Sequence, residues 1–153
     1  MQNVIVSQRA VPVLVVGAYI SGDVLGTTLL RFPRTLGRDV SGYIVHAAVL
    51  DKANVGPDLR LHLFPTPVAI PTDNQPIAVS DDDILAQAFW HTIDFATASY
   101  VSLSANTKLV SVSKLVLPVG WSEDGTLYGI LEARGNYTPT AVGDLVVSLS
   151  LQV

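Results

Sequence analysis

An extended backbone is the conformation that gives "GDLVVSLSLQV" two distinct faces: Leu145, Val147, Leu149, Leu151 and Val153 fall on one side, Ser148, Ser150 and Gln152 on the other. Side chains alternate across a strand, whereas a helical repeat would scatter both sets around the axis. The stretch therefore predicts a half-buried antiparallel strand. Two further segments follow the same rule. "DVSGYIVHAAVLD" opposes Ile44, Ala48 and Leu50 to Tyr43, Val45, Ala47 and Val49, apolar on both sides, as for a central strand covered twice. "DLRLHLF" sets Leu59, Leu61 and Leu63 against Arg60, His62 and Phe64.

Further strands are expected near residues 3–7, 12–20, 25–32, 99–104, 107–117 and 126–134, divided by turn-forming runs such as "SGD", "FPRTLGRD", "NVGPD", "WSEDG" and "GNYTP". One helix is expected, near residues 81–88: Ser80 can cap it, Asp81, Asp82 and Asp83 meet the positive end of the helix dipole, and Ile84, Leu85 and Ala88 offer a short apolar face. Before it, "FPTPVAIPTDNQPIAV" is too rich in proline for a central strand and reads as an ordered excursion over the surface. Many strands at hairpin spacing, one short helix and no βα alternation predict an all-β, antiparallel two-sheet β-sandwich of jelly-roll or Greek-key type. A small barrel is the alternative. The strand "TLYGILEARG" raises a question of its own. Leu127, Leu131 and Ala133 face the core, so Tyr128 and Ile130 need a second cover, from another sheet, a neighbouring subunit or both.

A chain of 153 residues is expected to form one domain, 1–153, with residues 1–10 as a candidate extended arm. It has no cysteine, which excludes disulfides, thiolate metal sites and a cysteine nucleophile. The net charge is −4 and the nine Lys and Arg are scattered singly, which argues against a nucleic-acid partner. A mean hydropathy of +0.43 with only 14% charged residues is high for a lone soluble subunit and hints at a covered outer face. The apolar run "AVPVLVVGAYI" has an internal proline and β-branched residues, so it reads as a strand rather than an export signal, and no run approaches the roughly 20 apolar residues of a membrane span. No membrane partner is expected.

Chemistry-bearing patterns are sparse. His46, His62 and His91 lack metal-ligand spacing, "SDDDI" lacks the glycine and terminal glutamate of a calcium loop, and no serine lies in a Gly-x-Ser-x-Gly elbow. Glu123, Asp124 and Glu132 fall on a turn and a nearby strand, where solvated turn carboxylates explain them better than a glycosidase pair. The reading is therefore non-enzymatic, with no catalytic residue, cofactor or metal expected. Trp90, Trp121, Tyr128 and Tyr137 are the rings available to a sugar platform; Trp121 and Tyr137, in or beside loops, are the glycan-contact candidates of an alternative adhesion-module reading.

The order "SGDVLG", "SGYIVHAAVLDKANVGPDLRLHLF", "IPTDNQPIAVSDDDI" and "LYGILEARGNYTPTAVGDLVVSLSL" resembles a family of small virion proteins of tailed bacteriophages, head decoration (cement) proteins and structural proteins without an assigned place, over about residues 20–152. The resemblance implies a subunit that binds the major capsid protein on the outside of the shell. It further implies a homo-oligomer, dimer or trimer, located in the virion and assembled in the host cytoplasm. Within that reading the candidate subunit or capsid contacts are Val4, Ile5 and Val6 of the N-terminal segment, Pro65 and Pro67 of the proline-rich excursion, and Tyr128 and Ile130.

Overall fold

The computed structural model describes residues 4–33, 41–120, 122 and 124–153. Among these residues nine strands form: β1 (Ile5–Ala10), β2 (Val24–Phe32), β3 (Gly42–Asp51), β4 (Leu59–Phe64), β5 (His91–Phe95), β6 (Val101–Ser104), β7 (Thr107–Val119), β8 (Leu127–Ala133) and β9 (Leu145–Gln152). One helix, α1 (Asp81–Leu85), and a 3-10 turn at Thr97–Ser99 complete the regular structure of the described residues. Every strand pairing is antiparallel. The two sheets run β1-β9-β3-β7-β6 and β2-β8-β4-β5.

The pairings are nested: β1 with β9, β2 with β8, β3 with β7 and β4 with β5. A long antiparallel ribbon folded over on itself gives this order, and β3·β9 and β4·β8 then stitch the turns of the ribbon into sheets. That is a jelly roll. β6 is an addition that forms a hairpin on the outer edge of β7.

Alternation sets the core in β9 and β4 but not throughout β3, where a bulge between Ile44 and His46 brings Ile44 onto the same inner side as Ala47 and Val49, to which strict alternation opposes it. Leu145, Val147, Leu149 and Leu151 of β9 and Ile44, Ala47 and Val49 of β3 meet Leu59, Leu61 and Leu63 of β4 and Leu127, Leu131 and Ala133 of β8 across the sandwich. A second apolar cluster lies on the outside of the four-stranded sheet. There Val24, Phe64, Tyr128 and Ile130 are covered by Val68, Ile77, Val79 and Trp90 of the connection between β4 and β5.

The question posed by "TLYGILEARG" is answered by this connection. Tyr128 and Ile130 are 2% and 3% exposed, sealed by residues of the same chain. This corrects their expected role as neighbour contacts: as folded they offer no surface to another subunit. The excursion itself is docked. Asn74 N–H donates to the Val24 carbonyl at 2.9 Å, Val24 N–H to Gln75 at 2.9 Å and Ile77 N–H to Gly22 at 3.0 Å, so residues 74–77 line the edge of β2. Asp73 accepts from the Tyr19 hydroxyl at 2.9 Å and from Gly26 N–H at 2.6 Å. Burial, opposed in part by the hydrogen bond at Val15 and reinforced by Asp73, pushes the Tyr19 hydroxyl up to about 12, so it remains a donor at neutral pH. Pro65 is buried and its carbonyl accepts from Ser122 Oγ at 3.3 Å, whereas Pro67 is exposed. The proline-rich run is a lid on its own sheet rather than an arm reaching outward.

Three more expectations change. Residues 12–20 are not a strand: Pro12 has no N–H for a ladder, and the segment is held by scattered hydrogen bonds and one bridge, Tyr19 with Tyr137. The candidate arm is also partly absorbed. Ile5–Ala10 are β1, and Val4 exchanges both backbone hydrogen bonds with Val153, at 3.1 and 2.9 Å; residues 1–3 lie outside the described residues. The helix ends at Leu85, three residues earlier than expected, with Ser80 Oγ accepting from Asp83 N–H as its cap.

Candidate docking surface

Between Arg9 and Asp23 the chain carries no charge. Residues 11–16 have no regular secondary structure and lie in the connection that turns the corner from β1 of one sheet to β2 of the other. Leu14 N–H donates to the Val142 carbonyl at 3.3 Å on one flank, and Thr27 N–H donates to the Val13 carbonyl at 3.0 Å on the other. The crossing is close. Gly26 has φ of 114°, and a Cβ there would lie 3.2 Å from Cβ of Pro12. Tyr19 pins the far end, its hydroxyl accepting from Val15 N–H at 3.0 Å.

Pinned this way, the segment buries Pro12 and Leu14 and turns its other side outward. Val11, Val13, Val15, Val16 and Ile20, with Val142 beside Leu14, are each between 43% and 61% exposed. Single exposed valines are ordinary, but six exposed apolar side chains gathered on one hydrogen-bonded connection and the residue paired with it are a candidate contact surface. The sequence held a signal for it: Val11, Val13 and Val15 alternate with Pro12 and Leu14, so both sides of an extended chain are apolar and both need a cover.

The outer face of the five-stranded sheet is of a different kind. The register aligns Ser7, Ser150, His46 and Ser113 in one row and Arg9, Ser148, Ala48 and Ser111 in the next. Ser7 Oγ and Ser150 Oγ are 3.0 Å apart. These two rows are small and polar, with Arg9 at one end, while the neighbouring row of Ile5, Gln152 and Tyr43 is partly apolar.

The polar clusters serve the fold. Trp90 Nε1–H donates to His62 Nδ1 at 3.1 Å, and His62 Nε2 lies 2.7 Å from Oε2 of Glu132, whose Oε1 accepts from Arg134 at 2.9 Å. Both ring nitrogens of His62 are thus engaged, leaving no free lone pair for a metal or a substrate. An open cleft of about 440 Å³ beside it is lined by His62, Ile77, Ala78, Val79, Ile84 and Trp90. Arg60 grips Asp94 at 2.6 Å, and that hydrogen bond holds the Asp94 carboxyl below the usual carboxylate range. Asp124 accepts from the hydroxyls of Tyr128 and Ser122. Buried Asp144 accepts from Thr140 and Ala141 N–H; burial alone would raise its carboxyl, but these bonds outweigh it and bring it below the ordinary range. Among the described residues no group of three or more His, Asp or Glu is placed to hold a metal ion.

The expected contacts divide. Val4 and Ile5 are exposed and Val6 is half-buried, all at the start of β1. Tyr137, a glycan candidate, is 1% exposed with its hydroxyl 3.3 Å from Oδ1 of Asp51, so it has no face to offer a sugar. Trp121 and Glu123 lie outside the described residues. Reading residues singly missed the valine corner, because exposure there is decided by which side of a loop faces the core.

No family model matches the chain, and neither does any curated protein. A solved structure from Desmodium yellow mottle tymovirus aligns with the whole of this chain and 88% of its own, at 10% identity and a TM-score of 0.27. The fold assignment accordingly rests on the strand pairings.

Proposed function

We propose that this chain is a structural subunit of a virion, and more specifically a decoration subunit that binds the outer surface of a tailed-phage head and bridges its major capsid proteins. The observation that carries the reading is the set of exposed apolar side chains, Val11, Val13, Val15, Val16, Ile20 and Val142, at one corner of the jelly roll. The bacteriophage part rests on the resemblance of the strand and turn patterns. Jelly rolls serve viral shells, lectins and cupins alike, so topology alone leaves the choice open. The burial of Tyr137 removes support from the lectin reading, and His62 offers no free nitrogen of the sort a cupin metal site needs. A shell subunit needs no active site. It works by burying apolar area at about 25 cal/mol per Å² at many equivalent positions, so that opening the shell must re-expose all of it.

The test is co-sedimentation with undecorated capsids, followed by heating with and without the protein. Stoichiometric binding that raises the disruption temperature is expected. In the V13D/V15D double variant, affinity should fall by about a hundredfold or more, since two carboxylates would enter an apolar contact unpaired. Stability of the free subunit should change by no more than about 0.5 kcal/mol, because both side chains face outward. Undiminished binding by that variant would move the contact elsewhere, and absence of binding by the wild type would end the shell reading.

A further inference from the structure

The two sheets treat their edges differently. The edge of β2 is occupied by residues 74–77 and by the carbonyl of Val13. β5 is short and carries Asp94, and β6 has four residues. β1 has six, extended by the Val4 pairing with Val153, and holds neither proline nor bulge. Its one charge is Arg9. Natural sheets guard such edges, and among the described residues no strand or loop pairs with this one.

The pairing with β9 determines which backbone groups are free. Val4 and Val153 exchange hydrogen bonds, so by antiparallel alternation Val6, Gln8 and Ala10 also bond to β9, while Ile5, Ser7 and Arg9 direct N–H and C=O away from it. Among the described residues none is given a partner on that side.

We infer that two copies of this chain join through β1, antiparallel about a two-fold axis at Ser7, to make one continuous ten-stranded sheet from two five-stranded ones. The strand is self-complementary in this register. Ser7 faces Ser7 of the second copy, and Ile5 faces Arg9, so all three outward residues find partners and the two arginines stay apart. Each opposed pair exchanges two hydrogen bonds. On the outer face Ile5, 66% exposed in the monomer, gains the aliphatic stem of Arg9 as cover. The inference does not depend on shell binding.

The chain has no cysteine, so S7C carries a single thiol. A hydrogen-bonded antiparallel pair sets the two Cα atoms about 5.5 Å apart, inside the disulfide range. The wild type should have a dimer mass by light scattering, and S7C treated with diamide should form a linked dimer at least about tenfold faster than S99C in the exposed 3-10 turn. S7P removes an N–H the monomer does not use, so it should remain folded and lose the dimer. A monomeric wild type, a dimer in which S7C and S99C link equally slowly, or a longer assembly that S7C does not trap would each overturn the inference.

Discussion

Replacing Asp51 with alanine is expected to destabilise the fold by about 3–5 kcal/mol, a large part of the about 5–15 kcal/mol that holds a domain together. Asp51 ends β3 and is fully buried. Its carboxylate accepts from Ala53 N–H at 2.9 Å, Val55 N–H at 2.8 Å and Gly56 N–H at 2.7 Å, and lies 3.3 Å from the Tyr137 hydroxyl. One side chain thus closes the turn into β4 and ties it to the segment after β8. Alanine would leave three backbone donors without their acceptor, whereas asparagine keeps one acceptor oxygen but turns an NH2 group toward donors. D51N should fall between the two. Urea unfolding with an unchanged m-value is the measurement. A loss below about 1 kcal/mol for D51A would mean that the turn is held by something else.

A second large effect is expected at Phe64. It is fully buried, belongs to the outer cluster rather than the inter-sheet core, and stacks on Trp90 with ring centroids 4.5 Å apart. F64A should cost about 3–5 kcal/mol. The pattern of the loss matters more than its size. If the connection is a lid on the four-stranded sheet, amide exchange in residues 65–90 should accelerate well before that of β9 and β3, because the lid loses its central contact while the inter-sheet core keeps its own. Uniform acceleration would show instead that lid and sandwich unfold as one unit.

How far the sequence was legible depended on whether a residue's environment is local. In β9 and β4 the apolar side chains alternate with polar neighbours and the sheet faces follow directly, whereas in β3 the bulge between Ile44 and His46 breaks the alternation and puts Ile44 on the same face as Ala47 and Val49, which strict period two opposes to it. β5 escaped notice although Ile93 and Phe95 alternate with Thr92 and Asp94, because five residues following a helix signal are too few to show a period. Tyr128 and Ile130 were visibly in need of cover, but what covers them lies far off in sequence, at Val68, Ile77 and Val79. The acids were the least legible. Glu132, expected to be a solvated carboxylate, is buried on β8 between His62 and Arg134, and Asp23, Asp51 and Asp144, which no motif singles out, are buried too, each binding backbone N–H groups of its own loop. The valine corner depended on the same kind of distant information: its outward side is defined only once Leu14 has been placed beside Val142 and Val13 beside Thr27.

The most direct measurement is electron cryomicroscopy of capsids saturated with the wild-type protein, at a resolution that places individual strands. The account predicts the jelly roll on the outer surface, with the corner of Val11, Val13 and Val15 pressed against capsid subunits and Tyr128 still beneath its own lid. A bound subunit whose valine corner faces open solvent, or density for the protein on the tail and none on the shell, would contradict it.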